Sequence, residues 1–324
     1  MMTTTSEFQK AAQKARPVFD KIQSLYRQLP PTTCNCRKPG ACCAFLPEMT
    51  LMEALQWLRV IQQLPDNDRA VLIRKFVEFY LTNPIRHMGC PFLSEGHCGI
   101  YEFRTFACRA YGLWSQTTGR ERTRQSRDGK RNLAKMWQRL GIELPIEALV
   151  AEMDYCDQVA YKSGDVVSDE RLMAVLEEIY RLDNELADLQ TRFETEYHSD
   201  FSFLVTSLVL NPKKAVLGKM AVIKELSLSG TDHRLEKLLS QIKPDNLNAV
   251  DWRKDGLCHP SLQGPALNSP PGEIKLGTLG SGIVIRRRLI YARSGRNPQK
   301  AGSLQFEIVH RRESFFWRSF HRPF

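Results

Sequence analysis

The sequence predicts a mainly α-helical protein that ends in a poorly ordered C-terminal tail. Three observations carry this reading. Apolar residues recur at spacings of three and four through most of the first 243 residues. The breaks between these periodic stretches hold most of the cysteines. From Pro244 onward the periodicity stops, and 7 prolines and 8 glycines fall within the last 81 residues. At 324 residues and 42% hydrophobic composition, the chain can bury a substantial core as one large or two modest domains.

The elements follow in order. "SEFQKAAQKARPVFDKIQSLYRQL" (6–29) has helical periodicity, with Pro17 expected to kink or split it. "TLMEALQWLRVIQQL" (50–64) opens with Thr50 and Glu53 in capping-box spacing, and "DNDRAVLIRKFVEFYLTN" (66–83) is an amphipathic helix stopped at Asn83-Pro84. "SQTTGRERTRQSRDGK" (115–130) is polar and arginine-rich and reads as an exposed loop. "RNLAKMWQRLG" then ends at Gly141, and "PIEALVAEMDYCDQVAYKSG" (145–164) is expected to carry Cys156 on a helix. The long "SDERLMAVLEEIYRLDNELADLQTRFETEY" (168–197) has acids in its first turn and reads as one packing helix, or as a short coiled coil for a protein partner. Asn211-Pro212 starts another helix, and 231–242 forms the last. Beyond it, "GIVIRRRLIY" and "LQFEIVH" are two strand candidates with nothing to cover them. The expected organisation is an N-terminal helix (1–29), a cysteine-bearing domain (30–165), a helical extension (166–243) and a basic, disordered tail (244–324).

Charge is divided unevenly. Of the net +10, residues 210–324 carry 20 Lys and Arg against 9 Asp and Glu, leaving 1–209 near neutral. The tail mixes arginines with aromatics, as in "HRRESFFWRSFHRPF", but no recognition fold accompanies the charge, so nucleic acid is not expected as a partner. The N-terminus lacks an apolar signal region, and no window reaches the run of about 18 apolar residues expected of a membrane span. A cytoplasmic protein with no membrane association is expected.

Nine cysteines are many for such a protein. Cys34, Cys36, Cys42, Cys43, Cys90, Cys98, Cys108 and Cys156 fall in the first half, and Cys258 stands alone. In a reducing compartment, clustered cysteines point to metal ligation or thiol chemistry rather than disulfide staples, whereas scattered buried thiols act as small hydrophobes. The thiolate is a soft ligand suited to zinc and iron-sulfur clusters. The spacing C-x-C-x5-C-C, then C-x7-C-x9-C, matches neither the paired C-x2-C of zinc ribbons nor the ferredoxin run. Neighbouring side chains diverge, so Cys42 and Cys43 fit two metals or a multi-iron cluster more naturally than one tetrahedral shell. Eight cysteines make two sets of four, and a mixed site with His87 or His97 also fits. Arg37, Lys38, Arg104 and Arg109 flank the thiols, and positive charge there stabilises thiolates. The fold class is therefore mainly α, with helices around a cysteine-ligated metal centre, and the cofactor expectation is an iron-sulfur cluster or zinc.

The same residues carry a resemblance. Cys42-Cys43, then Cys90-Pro91-Phe92-Leu93, then Cys98-Gly99-Ile100-Tyr101-Glu102-Phe103-Arg104, then Cys108-Arg109-Ala110-Tyr111 resemble the YkgJ-like zinc- or iron-chelating cysteine-cluster (CxxCxxCC) family over residues 30–115. Thr105 stands where that family has proline, and the leading cysteines are spaced differently. The resemblance implies metal binding. Some relatives are linked to flagellin lysine N-methylation, so a protein-modifying enzyme is one alternative, and a thiol redox sensor is another. The glycine-rich "LGTLGSGIVI" is not a dinucleotide fingerprint, and no hydrolase motif anchors a hydrolytic reading.

Overall fold

Helix α1 (Thr5–Tyr26) lays Phe8, Ala11, Ala15, Val18, Ile22 and Tyr26 along one buried stripe against the next helix, α2 (Leu51–Gln63). The stripe follows the three-and-four spacing that places residues on one helix face. Pro17 lies on the exposed side, and α1 continues through it as one helix. In the computed structural model the described residues are 5–34, 41–86, 88–150, 155–162 and 166–242. The tail at 244–324, with Cys258, lies outside them, as do Cys36, His87 and the side chain of Cys34.

Eleven of the 13 residues of α2 are buried, which makes it the centre of the structure rather than a surface helix. The capping box forms as its spacing predicts: the Thr50 N–H donates to Glu53 Oε2 at 2.9 Å, and the Glu53 N–H donates to Thr50 Oγ1. Helix α3 (Asp66–Thr82) follows and ends at Asn83. It packs against α9 (Phe201–Leu210), a helix with every residue buried. Helix α9 shows no amphipathic period, because "FSFLVTSLVL" is apolar all round and offers no contrast between faces. Helix α10 (Pro212–Ser229) and α11 (His233–Leu239) complete that side, with Asn211 Oδ1 accepting from the Lys214 N–H to cap α10.

Three expectations are corrected in the helices that follow. Residues 115–130 are no loop: they form the first part of α5 (Gln116–Arg139). Arginine and glutamine are good helix formers, and Ser115 caps the first turn, so a polar segment with one thin buried edge suffices. That edge is Gly119, Ser126, Lys130 and Trp137. A Cβ on Gly119 would stand 2.2 Å from the Tyr155 ring, so close approach requires glycine there. Among its described residues, the segment expected as one helix at 145–164 shows α6 (Ile146–Val150), and Cys156 sits in irregular backbone just before the short strand β4 (Val159–Tyr161).

Strand β4 pairs antiparallel with β1 (Thr32–Cys34), with Cys34 opposite Val159. A hairpin of β2 (Leu93–Ser94) and β3 (His97–Cys98) turns through Glu95 and Gly96, both at positive φ. Helix α4 (Phe106–Arg109) follows. The long helix expected at 168–197 is two, α7 (Asp169–Asp183) and α8 (Ala187–Glu196), parted by a 3-10 turn. The break lets Asp183, 1% exposed, turn both carboxylate oxygens to the N–H groups of Leu51 (2.9 Å) and Met52 (3.0 Å) at the start of α2. No helix among the described residues is long and apolar enough to cross a membrane.

Burial pushes the Asp183 carboxyl up to about 7, against the pull of those two N–H groups. A carboxyl whose pKa is higher folded than unfolded holds its proton more tightly in the fold. Its contribution is complete below the unfolded value of about 4 and is lost as pH rises through 7. Asp183→Asn is therefore expected to flatten the dependence of urea-unfolding stability on pH between about 4 and 7. It should also cost about 1–3 kcal/mol overall, because the amide NH2 meets a helix N–H.

Candidate metal centre

Cysteines reach one region from four segments of chain. Cys42 and Cys43 sit in a 3-10 turn, Ala41–Ala44, before α2. Cys90 follows α3, and its N–H donates to the Cys43 carbonyl at 2.5 Å, which ties the first segment to the second. Cys98 ends the β2–β3 hairpin opposite Leu93, and Cys108 lies on α4, its sulfur accepting from Thr105 Oγ1 at 3.5 Å. All are free thiols, Cys42 exposed and the other four half-buried.

Electrostatics link the five. The Cys43 thiol donates to Cys42, which with Arg104 nearby lowers Cys42 to about 6. Both residues lie in the same tight 3-10 turn. Cys43 is pushed up by that donation, by burial and by the charges of Cys90 and Cys98. Burial raises Cys90, with Cys98, Cys108 and Cys42 adding to it, and burial likewise raises Cys98. Cys108 is pushed up to about 11 by burial, opposed by the Thr105 hydroxyl. Five sulfurs thus share one patch in which ionising any one makes the next harder. A cation relieves that repulsion, and soft thiolate donors suit zinc and iron. Among the described residues, no three His, Cys, Asp or Glu side chains close into a set that could hold a metal ion, so the thiols are neighbours without forming a finished coordination shell.

The core holds the segments that carry them. Phe92, two residues beyond Cys90, enters a ring of edge-to-face contacts: Trp57 to Phe92 at 4.9 Å, Phe92 to Phe76 at 5.1 Å, and Phe76 and Trp57 each to Phe201 at 5.2 Å. Each such pair contributes about 0.5–1.5 kcal/mol beyond its burial. The indole N–H of Trp57 donates to the Phe103 carbonyl at 2.7 Å. Glu53, 2% exposed, does a second task beyond capping α2. Its Oε1 accepts the Tyr26 hydroxyl and, at 2.6 Å, the Phe106 N–H that opens α4. Helix α2 therefore fixes where Cys108 begins its turn. Arg109 lies 4.6 Å above the Tyr26 ring and donates to the carbonyls of Arg104 and Glu102. Nothing in the sequence signals the tertiary role of Glu53, since its capping role already accounts for a Glu at that position.

The remaining candidates sit elsewhere. The ring Nδ1 of His97 bonds the Glu95 carbonyl at 2.9 Å on an exposed strand position. Cys156 lines a 590 Å³ cleft with Trp114, Tyr155 and Tyr161. A Cβ on Gly112, four residues beyond Cys108 and at φ +81°, would stand 2.4 Å from Val159 Cγ2 and 3.6 Å from the Cβ of Cys156. Because β1 pairs with β4, the backbone of Cys34 reaches the same strand pair three residues from Cys156.

Fold and site together define a helical protein with a thiol-lined centre. Residues 35–130 match the family model CxxCxxCC, described as "Putative zinc- or iron-chelating domain". The match spans Cys36 through Cys108 and α5 as far as Lys130, and leaves Cys34 and Cys156 outside it. No curated protein and no solved structure matches the chain.

Proposed function

We propose that this protein binds an iron-sulfur cluster or zinc through clustered cysteines, with Cys42, Cys43, Cys90, Cys98 and Cys108 as the central donors. Cys34, Cys36 and Cys156 complete the proposed set. The observation that carries the reading is the convergence of five free thiols from segments up to 66 residues apart in sequence: aromatic packing and a hydrogen bond hold the Cys90 and Cys108 segments to α2 and α3, and the Cys90 N–H holds the Cys43 carbonyl. The match of residues 35–130 to a chelating domain supports it. A bound metal would supply the positive charge that lets these clustered sulfurs ionise together, and would tie the loops to one another. Arg104 and Arg109 would offset the charge of a multi-thiolate centre. The reading places the protein in a reducing compartment such as the cytoplasm, where free thiols persist.

Iron, zinc and acid-labile sulfide measured on protein purified without oxygen, with an absorption spectrum, test it. Iron and sulfide together with visible absorption are expected for a cluster, and stoichiometric zinc without colour for a zinc site. Protein that is folded and metal-free after metal-replete expression would refute the proposal and return the cysteines to reversible thiol oxidation.

A further inference from the structure

Helix α5 carries eight Lys and Arg against two acids, whereas residues 1–209 as a whole are net −1. The positive charge of this part of the chain is therefore concentrated on one element. At about 100° per residue, Arg120, Arg124, Arg127, Arg131 and Lys135 fall within an arc of about 80°. All five are exposed, whereas Gly119, Ser126, Lys130 and Trp137 form the buried edge. With a rise of about 1.5 Å per residue the stripe is about 22 Å long. A loop would have scattered these charges; the helix aligns them.

We infer that this stripe is a docking surface for the phosphate backbone of a nucleic-acid duplex, read without regard to sequence. Four of its five cations are arginines, whose planar guanidinium pairs with phosphate through two parallel hydrogen bonds. Its length exceeds the major-groove width of about 12 Å, so the stripe can touch phosphates on both edges of the groove. The acids beside it do not neutralise it: Glu121 pairs with Arg124 at 2.8 Å and Asp128 with Arg131 at 3.5 Å, both at exposed positions where such pairs are weak and exchange readily for phosphate. The other exposed positions are Gln116, Thr117, Asp128, Asn132, Gln138 and Arg139. None is apolar, which disfavours insertion into a lipid surface. None is aromatic, which disfavours stacking on single-stranded bases. The inference is independent of the metal reading.

The test is fluorescence anisotropy of a labelled random-sequence DNA duplex against the full chain between about 50 and 200 mM salt. The wild-type protein is expected to bind with a steep salt dependence. The quadruple variant R120Q/R124Q/R127Q/R131Q should bind more than about 10-fold more weakly, with a logarithmic slope shallower by about 3.6, the value for four lost phosphate contacts. The matched variant with four arginine-to-lysine changes keeps the charge and should keep the slope, which guards against misfolding as the cause. Removing four charges elsewhere, by K213Q/K214Q/K224Q/K237Q, should change affinity by less than about twofold, because those lysines form no stripe on α5. Absence of wild-type binding, an unchanged glutamine variant or an equal loss in the lysine control would each overturn the assignment. Equal competition by a polyglutamate peptide would overturn it in favour of an acidic protein.

Discussion

Cys90→Ser and Cys108→Ser are each expected to purify with far less metal than the parent protein, while Cys258→Ser keeps the parental content. Serine preserves the shape of cysteine and removes the soft donor. Changes to groups that merely support a ligand already weaken metal binding by about 10–100-fold, so loss of a ligand should exceed that. The fold should suffer too, because a metal that joins the turn at Cys43 to the segment after α3 contributes its binding energy to stability. Limited proteolysis should therefore cut the two variants within the cysteine-bearing segments much faster than Cys258→Ser. Metal content that is equal in all three would sink the assignment of these cysteines as ligands.

The second large effect is expected at Glu53, away from any sulfur. Both its oxygens only accept: Oε2 from Thr50, Oε1 from Tyr26 and Phe106. In Glu53→Gln the amide NH2 must meet one of those donors, leaving buried groups unsatisfied at about 1–3 kcal/mol each. Thermal unfolding should register this loss. If α4 is placed by the bond to Phe106, metal should also leave Glu53→Gln faster than the parent when challenged with a chelator. Thr50→Ala provides the comparison, since it removes the cap of α2 for about 1 kcal/mol while leaving Phe106 bonded. Equal chelator kinetics in the two variants would show that Glu53 stabilises α2 and nothing more.

Much of this architecture is legible locally. The capping box at Thr50, the Asn211-Pro212 start and the stripe along α1 are each written within a turn or two of chain, where the residues that interact are close in sequence. The cysteine motifs are legible for a different reason: thiols spaced closely, in a segment with no disulfide to make, imply a chemistry before any fold is known.

What the sequence by itself determined is thus a helical chain, the caps of its helices and a set of thiols suited to a soft metal. Only the tertiary structure decided where they meet. Strands β1 and β4 are three residues each and pair across 129 positions, from Thr32 to Tyr161, too short to show a period and too distant for local rules. Helix α9 hides because a uniformly apolar segment has no polar face to mark its phase. The arginines of α5 look like loop composition until the helix aligns them. Glu53 looks like an ordinary cap until burial brings Tyr26 and Phe106 to its second oxygen. In each case the deciding energy is burial or hydrogen bonding between segments far apart in sequence, which no local pattern encodes.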